Sequence, residues 1–234
     1  MISLIPSPFC IESDCRLVSC HFDKQLFRAE AVSDLGLVLP ASLHKAVQKR
    51  KAEFIAGRYC AREALMQLGN NPANTVGIGA NREPTWPQGL VGSITHTHDY
   101  AAAVVAYHDA VRAVGIDSET WIGRASAANV RQQVLTSHER NAGCQQSFES
   151  SSHYLTLVFS AKESLFKCLF PLVNRFFDFH AAIITPDVPG SHKNGAFEFE
   201  LTEDLGAGFH RGYRGRGRYT FSTSCVHTAI ILTR

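Results

Sequence analysis

Residues 152–170 read SHYLTLVFSAKESLFKCLF, and this stretch decides the fold. Leu157, Val158, Phe159, Leu165, Phe166, Leu169 and Phe170 spread apolar side chains round more than one face, and Pro171 follows as a stop signal. A helix this apolar is buried on most sides and needs a sheet to cover it. Strand-like runs follow at about 176–184, 196–201, 218–224 and 226–232, rich in β-branched and aromatic residues. The same order occurs upstream. A helix is expected over about 42–68, with Ser42 as N-cap and Gly69-Asn70-Asn71-Pro72 as terminator, its apolar positions at helical spacing. A strand-like stretch lies near 16–22 ahead of it, and short strands follow at 75–78, 90–95, 100–107 and 112–117. Between the halves lie helix-like stretches at about 127–135 and from Ser137, which reads as a cap, with Glu139 as an acid in the first turn. The expected fold is α+β. Two similar halves, residues 1–115 and 116–234, each form a long helix packed on a small antiparallel-type sheet, related by a pseudo-twofold in a single compact unit.

Composition narrows the classes. The 234 residues are 45% hydrophobic and 19% charged, which suits a chain with a real core and no long disordered tails. A net charge of +2 is too mild to call for nucleic acid by itself. The first ten residues lack the basic and apolar regions of a signal peptide, and no apolar run approaches a membrane span. A cytoplasmic protein with no membrane partner is expected. Seven cysteines are scattered, and Cys10, Cys15 and Cys20 lack the second pair a zinc site needs, so free thiols are the expectation.

Two segments carry chemistry. Asp117 and Glu119 end a strand-like run, and side chains two apart on a strand share a face. Two adjacent carboxylates repel unless a positive charge compensates them, and Mg²⁺ with oxygen ligands does this. A lone Asp-x-Glu is more often a solvated strand end. Glu163 and Lys167 are one helical turn apart. An ordinary surface pair there fits poorly with the apolar surroundings, because a buried ion pair needs partners or a ligand. Together the segments suit an enzyme that grips a pyrophosphate through Mg²⁺, or Mn²⁺ in its place.

The motifs Gly115-Ile116-Asp117-x-Glu119 and Phe159-x-x-Lys162-Glu163-Ser164-x-x-Lys167 resemble those of the 4′-phosphopantetheinyl transferases. The nearer likeness is to the monomeric Sfp type and its enterobactin synthetase component D subgroup. Arg50-x-x-x-Phe54-x-x-Gly57-Arg58-x-x-Ala61-Arg62, Arg82-x-Pro84 and Ser93-Ile94-Thr95-His96 match further family segments in order, so the resemblance covers about residues 50–167. It implies transfer of phosphopantetheine from coenzyme A to a serine of an acyl or peptidyl carrier protein, with release of 3′,5′-ADP. It also implies that Asp117, Glu119 and Glu163 hold the metal, that Glu163 is the general base, and that Lys167 stabilises phosphoryl oxygens, with Lys162 in support. Arg50, Arg58, Arg82, Thr95 and His96 then contact the phosphates of coenzyme A. Without the resemblance His96 reads as a core histidine. Phe159 stands where many members carry Trp, and Ser118 stands where an apolar residue is more usual.

Residues 210–219, HRGYRGRGRY, look like an Arg-Gly nucleic-acid tract, against which stands the reading of a basic hairpin connection between two strands. An RNA- or carrier-binding module using that loop is the competing non-enzymatic function. A metal-dependent phosphohydrolase using the same carboxylates is the third. There is no phosphate-binding P-loop and no Gly-x-Ser-x-Gly nucleophile elbow.

Overall fold

Alanine and glycine at close-approach positions set the layering of this chain. The structure, a computed structural model, describes residues 2–9, 11, 14–71, 75–187 and 193–234. In chain order the elements are β1 (Ile2–Ile5), β2 (Cys15–Phe22), α1 (Gln48–Gln67), β3 (Gly77–Ile78), β4 (Pro84–Thr85), β5 (Leu90–His96), β6 (Tyr100–Tyr107) and β7 (Val111–Thr120). Then come α2 (Arg124–Val134), α3 (Ser137–Arg140), α4 (Ser151–Val173), β8 (Ala182–Pro186), β9 (Asn194–Leu201), β10 (Arg214–Phe221) and β11 (Cys225–Thr233). The architecture is mixed helix and antiparallel sheet, as expected. The chain divides into two compact units, Met1–Ser7 with Ile11–Val114 and Thr233–Arg234, and Pro8–Cys10 with Gly115–Leu232.

In the first unit four antiparallel strands run in the order β1-β2-β6-β5, with α1 against β6 and β2. Ala52, Ala56, Cys60, Ala61 and Ala64 on α1 are buried, as are Ala101 and Ala103 on β6. Short side chains on both partners bring helix and sheet close, while Ile55, Leu65, Val18, Phe22 and Val105 supply bulk.

In the second unit five strands run β7-β11-β10-β9-β8, and α4 packs against this sheet. A Cβ on Gly115 would lie 2.0 Å from the Ser164 carbonyl oxygen and 2.7 Å from the Cys168 nitrogen, so only glycine lets α4 rest on β7. Leu157, Leu165, Leu169, Ile116, Ile184, Phe197 and Phe199 fill the interior.

Several boundaries differ from expectation for identifiable reasons. The first helix opens at Gln48 with Val47 as its cap; Ser42 lies instead in a 3₁₀ turn, Ala41–Leu43, after Pro40. Pro72 of the expected terminator lies outside the described residues. Pro171 sits inside α4, which runs on to Val173 and closes on Asn174 in the left-handed conformation, its N–H on Phe170 O. A proline this near a helix end removes one bond to a preceding carbonyl and leaves the turn standing. The cap of α3 is Thr136, one residue before Ser137, and with Glu139 it forms a reciprocal capping box. The expected strand at 176–184 forms only from Ala182, because Phe176 and Phe177 turn back to stack with Phe166 and Phe170 at ring separations of 5.0–5.8 Å.

The Arg-Gly tract is not a loop along its length. Residues 214–219 belong to β10, the central strand, paired with β9 and β11. Arg214 pairs with Glu200 at 2.7 Å, and Arg216 lies 3.6 Å from Asp187 and 3.9 Å from Glu198. On the other face, a Cβ on Gly217 would meet the Phe197 ring at 2.2 Å. These glycines make room for aromatic rings, and Arg214 and Arg216 form a cross-strand ion ladder. Residues 210–213 form the turn that leads from β9 into β10, as the hairpin reading has it, whereas 214–219 are part of the strand itself.

Candidate active site

The second unit gathers the acidic residues of the two chemical segments. Asp117 and Glu119 lie on the face of β7 that carries Gly115, and so face α4. Asp117 is buried and both carboxylate oxygens are engaged. Lys167 Nζ donates to Oδ1 at 2.6 Å and Ser160 Oγ donates to Oδ2 at 2.8 Å. Lys167 also donates to Ile116 O at 3.3 Å. Because residues 160, 163 and 167 fall on one side of α4, the helix presents a hydroxyl, a carboxylate and an ammonium to the strand together.

Electrostatics ties Glu119 and Glu163 into the same cluster. Burial, then repulsion from Asp117 and Glu163, pushes the Glu119 carboxyl up to about 8, with Lys167 opposing. Burial also pushes Glu163 up; Lys167 lowers it, and Asp117 adds to the rise. Three carboxylates and one ammonium therefore share a small field. Among the described residues, however, no three His, Cys, Asp or Glu side chains form a preassembled metal-ligand group. The physical reason is visible at Asp117, where the Lys167 ammonium supplies the compensating charge. The donor set nevertheless fits a hard divalent cation: all-oxygen, crowded, and held partly protonated for lack of positive charge. Beside Glu163 opens a cavity of about 290 Å³, lined by Phe166, Phe176, Phe177, Phe179 and Asp178.

Lys162 points elsewhere. Its Nζ donates to Glu139 Oε2 at 2.7 Å and to Val134 O at 2.8 Å, with both side chains of the pair buried. Glu139 also accepts from Thr136 N, from Thr136 Oγ1 and from Ile184 N at 2.7–2.9 Å. Burial lowers the Lys162 pKa and Glu139 raises it back. Lys162 thus clamps α4 to the cap of α3 and to β8, and the expected supporting role in phosphate chemistry would require it to leave Glu139.

The expected coenzyme A contacts lie in the first unit. Arg50 Nη1 is 3.0 Å from His96 Nε2, and Glu53 lies 3.7 Å from Arg50 and 4.0 Å from His96. This brings the start of α1 to the end of β5. Arg58 lies two turns further on, about 12 Å along the axis. It donates to Val76 O and Gly77 O at 2.9 and 2.8 Å and covers the Phe54 ring, and burial lowers its pKa to about 10. Thr95 is buried, on the opposite face of β5 from His96. Arg82 is exposed in the β3–β4 turn at φ 69°. The structure thus joins Arg50 to His96, while Arg58 holds backbone and Thr95 faces inward.

Some residues of the carboxylate cluster escaped the sequence reading. Ser160, Ser164 and Thr228 form a buried hydroxyl chain behind Asp117. Ser118 turns away from Asp117 and lies 2.9 Å from His227 Nδ1. Burial lowers the His227 pKa to about 4, with Asp117 opposing. The Thr136–Glu139 capping box was visible as Thr-x-x-Glu, whereas nothing local marks Thr228.

Comparison with known proteins places the chain in a family. A family model of the 4′-phosphopantetheinyl transferase N-terminal domain matches residues 39–106, and one of the 4′-phosphopantetheinyl transferase superfamily matches residues 113–211. The 4′-phosphopantetheinyl transferase PptT of Mycobacterium tuberculosis is 36% identical over 189 residues, 80% of this chain and 82% of that one. This chain belongs to the 4′-phosphopantetheinyl transferases. The transferase Npt of Nocardia iowensis is 38% identical over 69% of this chain and 73% of its own length. Enterobactin synthase component D of Salmonella typhimurium is 38% identical over 71% of this chain and 66% of its own. As a phosphopantetheinyl transferase the chain is an enzyme. Among the described residues no helix is long and apolar enough to cross a membrane.

Proposed function

We propose that this transferase moves the 4′-phosphopantetheine group from coenzyme A to a serine of an acyl or peptidyl carrier protein, in a Mg²⁺-dependent reaction that releases 3′,5′-ADP. The observation that carries the reading is the field shared by Asp117, Glu119, Glu163 and Lys167, strong enough to keep a proton on Glu119 at neutral pH. When bound at these carboxylates, Mg²⁺ supplies charge neutralisation to the diphosphate and to the phosphoryl group under attack. Asp117, Glu119 and Glu163 are the residues that would hold it.

The chain's own groups do the rest. Glu163, whose burial raises its proton affinity, accepts the serine hydroxyl proton as the Ser O–P bond forms. The bond from that phosphorus to the oxygen bridging to 3′,5′-ADP breaks, and the electron pair leaves with ADP. Lys167, held at Asp117, lends positive charge to the phosphoryl oxygens or to the 5′-phosphate of the leaving 3′,5′-ADP. In the first unit, Arg50, held beside His96, is the cation suited to the 3′-phosphate, and exposed Arg82 adds to it.

The test is the intact mass of an apo-carrier protein incubated with coenzyme A and Mg²⁺. The expected product is heavier by one phosphopantetheine, with 3′,5′-ADP formed in equal amount. Free phosphopantetheine with an unchanged carrier would instead assign a hydrolase. Glu163→Gln should lower kcat by at least about 10²-fold while the fold is kept. A near-normal rate in that variant would remove Glu163 as base.

A further inference from the structure

Asp117 is the one carboxylate of the cluster whose direction is set by neighbours on both sides. Ser160 Oγ donates to its Oδ2 at 2.8 Å. Thr228 Oγ1, on β11, lies 2.9 Å from Ser160 Oγ and donates to Ser160 O at 3.0 Å. Ser164 Oγ, one turn further along α4, lies 2.7 Å from Thr228 Oγ1 and donates to Thr228 O at 3.1 Å. Ser160, Ser164 and Thr228 are all 0% exposed, and Asp117 is 3% exposed. No solvent competes for these bonds, so each hydroxyl proton goes to a neighbour within the group.

A serine mid-helix ordinarily bonds back to a carbonyl of the preceding turn or faces water. Ser160 does neither, since its proton goes to Asp117. The Thr228 hydroxyl has one proton and lies within reach of both the Ser160 carbonyl and the Ser160 hydroxyl. Donated to the hydroxyl, that proton fixes the rotamer from which Ser160 gives its own to Asp117. The chain crosses from helix to a neighbouring strand and back, so its geometry depends on α4 and the β7–β11 pair being in register.

We propose that Ser160 and Thr228 are positioning residues for Asp117: Thr228 locks Ser160, Ser160 holds Oδ2, and Oδ1 is left to Lys167, so that Asp117 is oriented as one of the carboxylates that would hold the cation. The inference rests on the Mg²⁺-dependent transferase reading above. Outer partners that orient a ligating carboxylate change metal affinity or activity by about 10–100-fold when removed. They do so without contacting either substrate.

Mn²⁺ affinity of the purified, metal-free protein, measured by titration calorimetry with MnCl₂ alone, separates orientation from structure. Ser160→Ala keeps a strong helix former and removes the donor to Oδ2. Its expected Mn²⁺ affinity is about 10-fold weaker, with the KM for coenzyme A within about 2-fold and kcat falling with metal occupancy. Thr228→Val, close in shape but without the hydroxyl, should behave likewise, and Thr228→Ser should restore affinity to within about 3-fold of wild type. Unchanged Mn²⁺ affinity in both Ser160→Ala and Thr228→Val overturns the inference. So does a loss that Thr228→Ser does not restore and that tracks a fall in Tm across all three variants, because the role is then packing. Failure of the wild type to make holo-carrier sinks the transferase reading itself. A transferring wild type beside fully metal-competent variants sinks only the positioning role.

Discussion

Glu119 sits between repulsion and relief. Its carboxyl is pushed from an ordinary 4.5 up to about 8 by burial and by Asp117 and Glu163, against the pull of Lys167. Only the carboxylate ligates a cation, so metal binding at neutral pH must expel a proton. Affinity for Mg²⁺ therefore rises with pH up to about 8 and levels off above it. Calorimetric titration with MgCl₂ at pH 7, in two buffers of different ionisation enthalpy, should report release of close to one proton in the wild type and almost none in Glu119→Gln. Equal release from both would take Glu119 out of the site. Stability carries the same sign. Between pH 4.5 and about 8 the folded state holds this proton and the unfolded state does not, so the Tm of metal-free protein should fall as pH rises. Glu119→Gln should flatten that slope. His227 works in the opposite sense and over a lower range. With its folded pKa near 4, the stability it lends is complete above 6.5 and is lost as pH falls towards 4.

The Lys162–Glu139 pair is the clearest case in which an element's position depends on one contact. Removing one partner of a buried, hydrogen-bonded ion pair leaves an uncompensated charge, at about 3–5 kcal/mol. Lys162→Met should therefore lower Tm by roughly 10 °C in scanning calorimetry. Glu139→Gln should lower it comparably, and the double variant should recover part of the loss. A Lys162→Met protein with unchanged Tm but no transfer would return Lys162 to the chemistry. The same pair shows what the primary sequence reveals and what it conceals. The helix at 152–170 and the i, i+4 placement of Glu163 and Lys167 are local facts, legible in spacing and apolar surroundings. Where Lys162 goes depends on Glu139, 23 residues away, and on the backbone of Ile184. Thr228 meets Ser160 only once β11 lies beside β7. Pro171 misled because a stop signal is a statement about propensity, and near the C-terminus of an apolar helix packing outweighs one lost hydrogen bond. Arg214–Tyr219 misled because composition alone does not tell a glycine that serves flexibility from one that lies beneath a phenylalanine ring.

Over the whole molecule the cysteines test the packing. Cys15 and Cys20 share β2, and five residues along a strand put two side chains on opposite faces. The regular spacing therefore cannot gather them round one zinc ion, and Cys10, the third of the series, lies outside the described residues. The two thiols end up in different surroundings, Cys20 in the first unit's core, 3.3 Å in sulfur–sulfur distance from Cys60 of α1. The hydrogen bond that Cys60 donates to Cys20, then burial, pushes the Cys60 thiol up, which keeps it protonated. Cys168 on α4 and Cys225 on β11 are buried in the second unit and form no disulfide. The reactive species towards an aromatic disulfide reagent is the thiolate, and it must also be reached. Under native conditions the rapid phase should therefore involve no more than the other two of the seven cysteines, Cys10 and Cys144. In guanidinium chloride all seven should react at once. The slow native phase reports opening of the sheet–helix layers, so a ligand that binds only the folded state should retard it by mass action. Coenzyme A with Mg²⁺ is expected to slow this phase in the wild type and to do so less in Glu119→Gln. Rapid native reaction of three or more thiols would contradict the burial of at least one of the five described above.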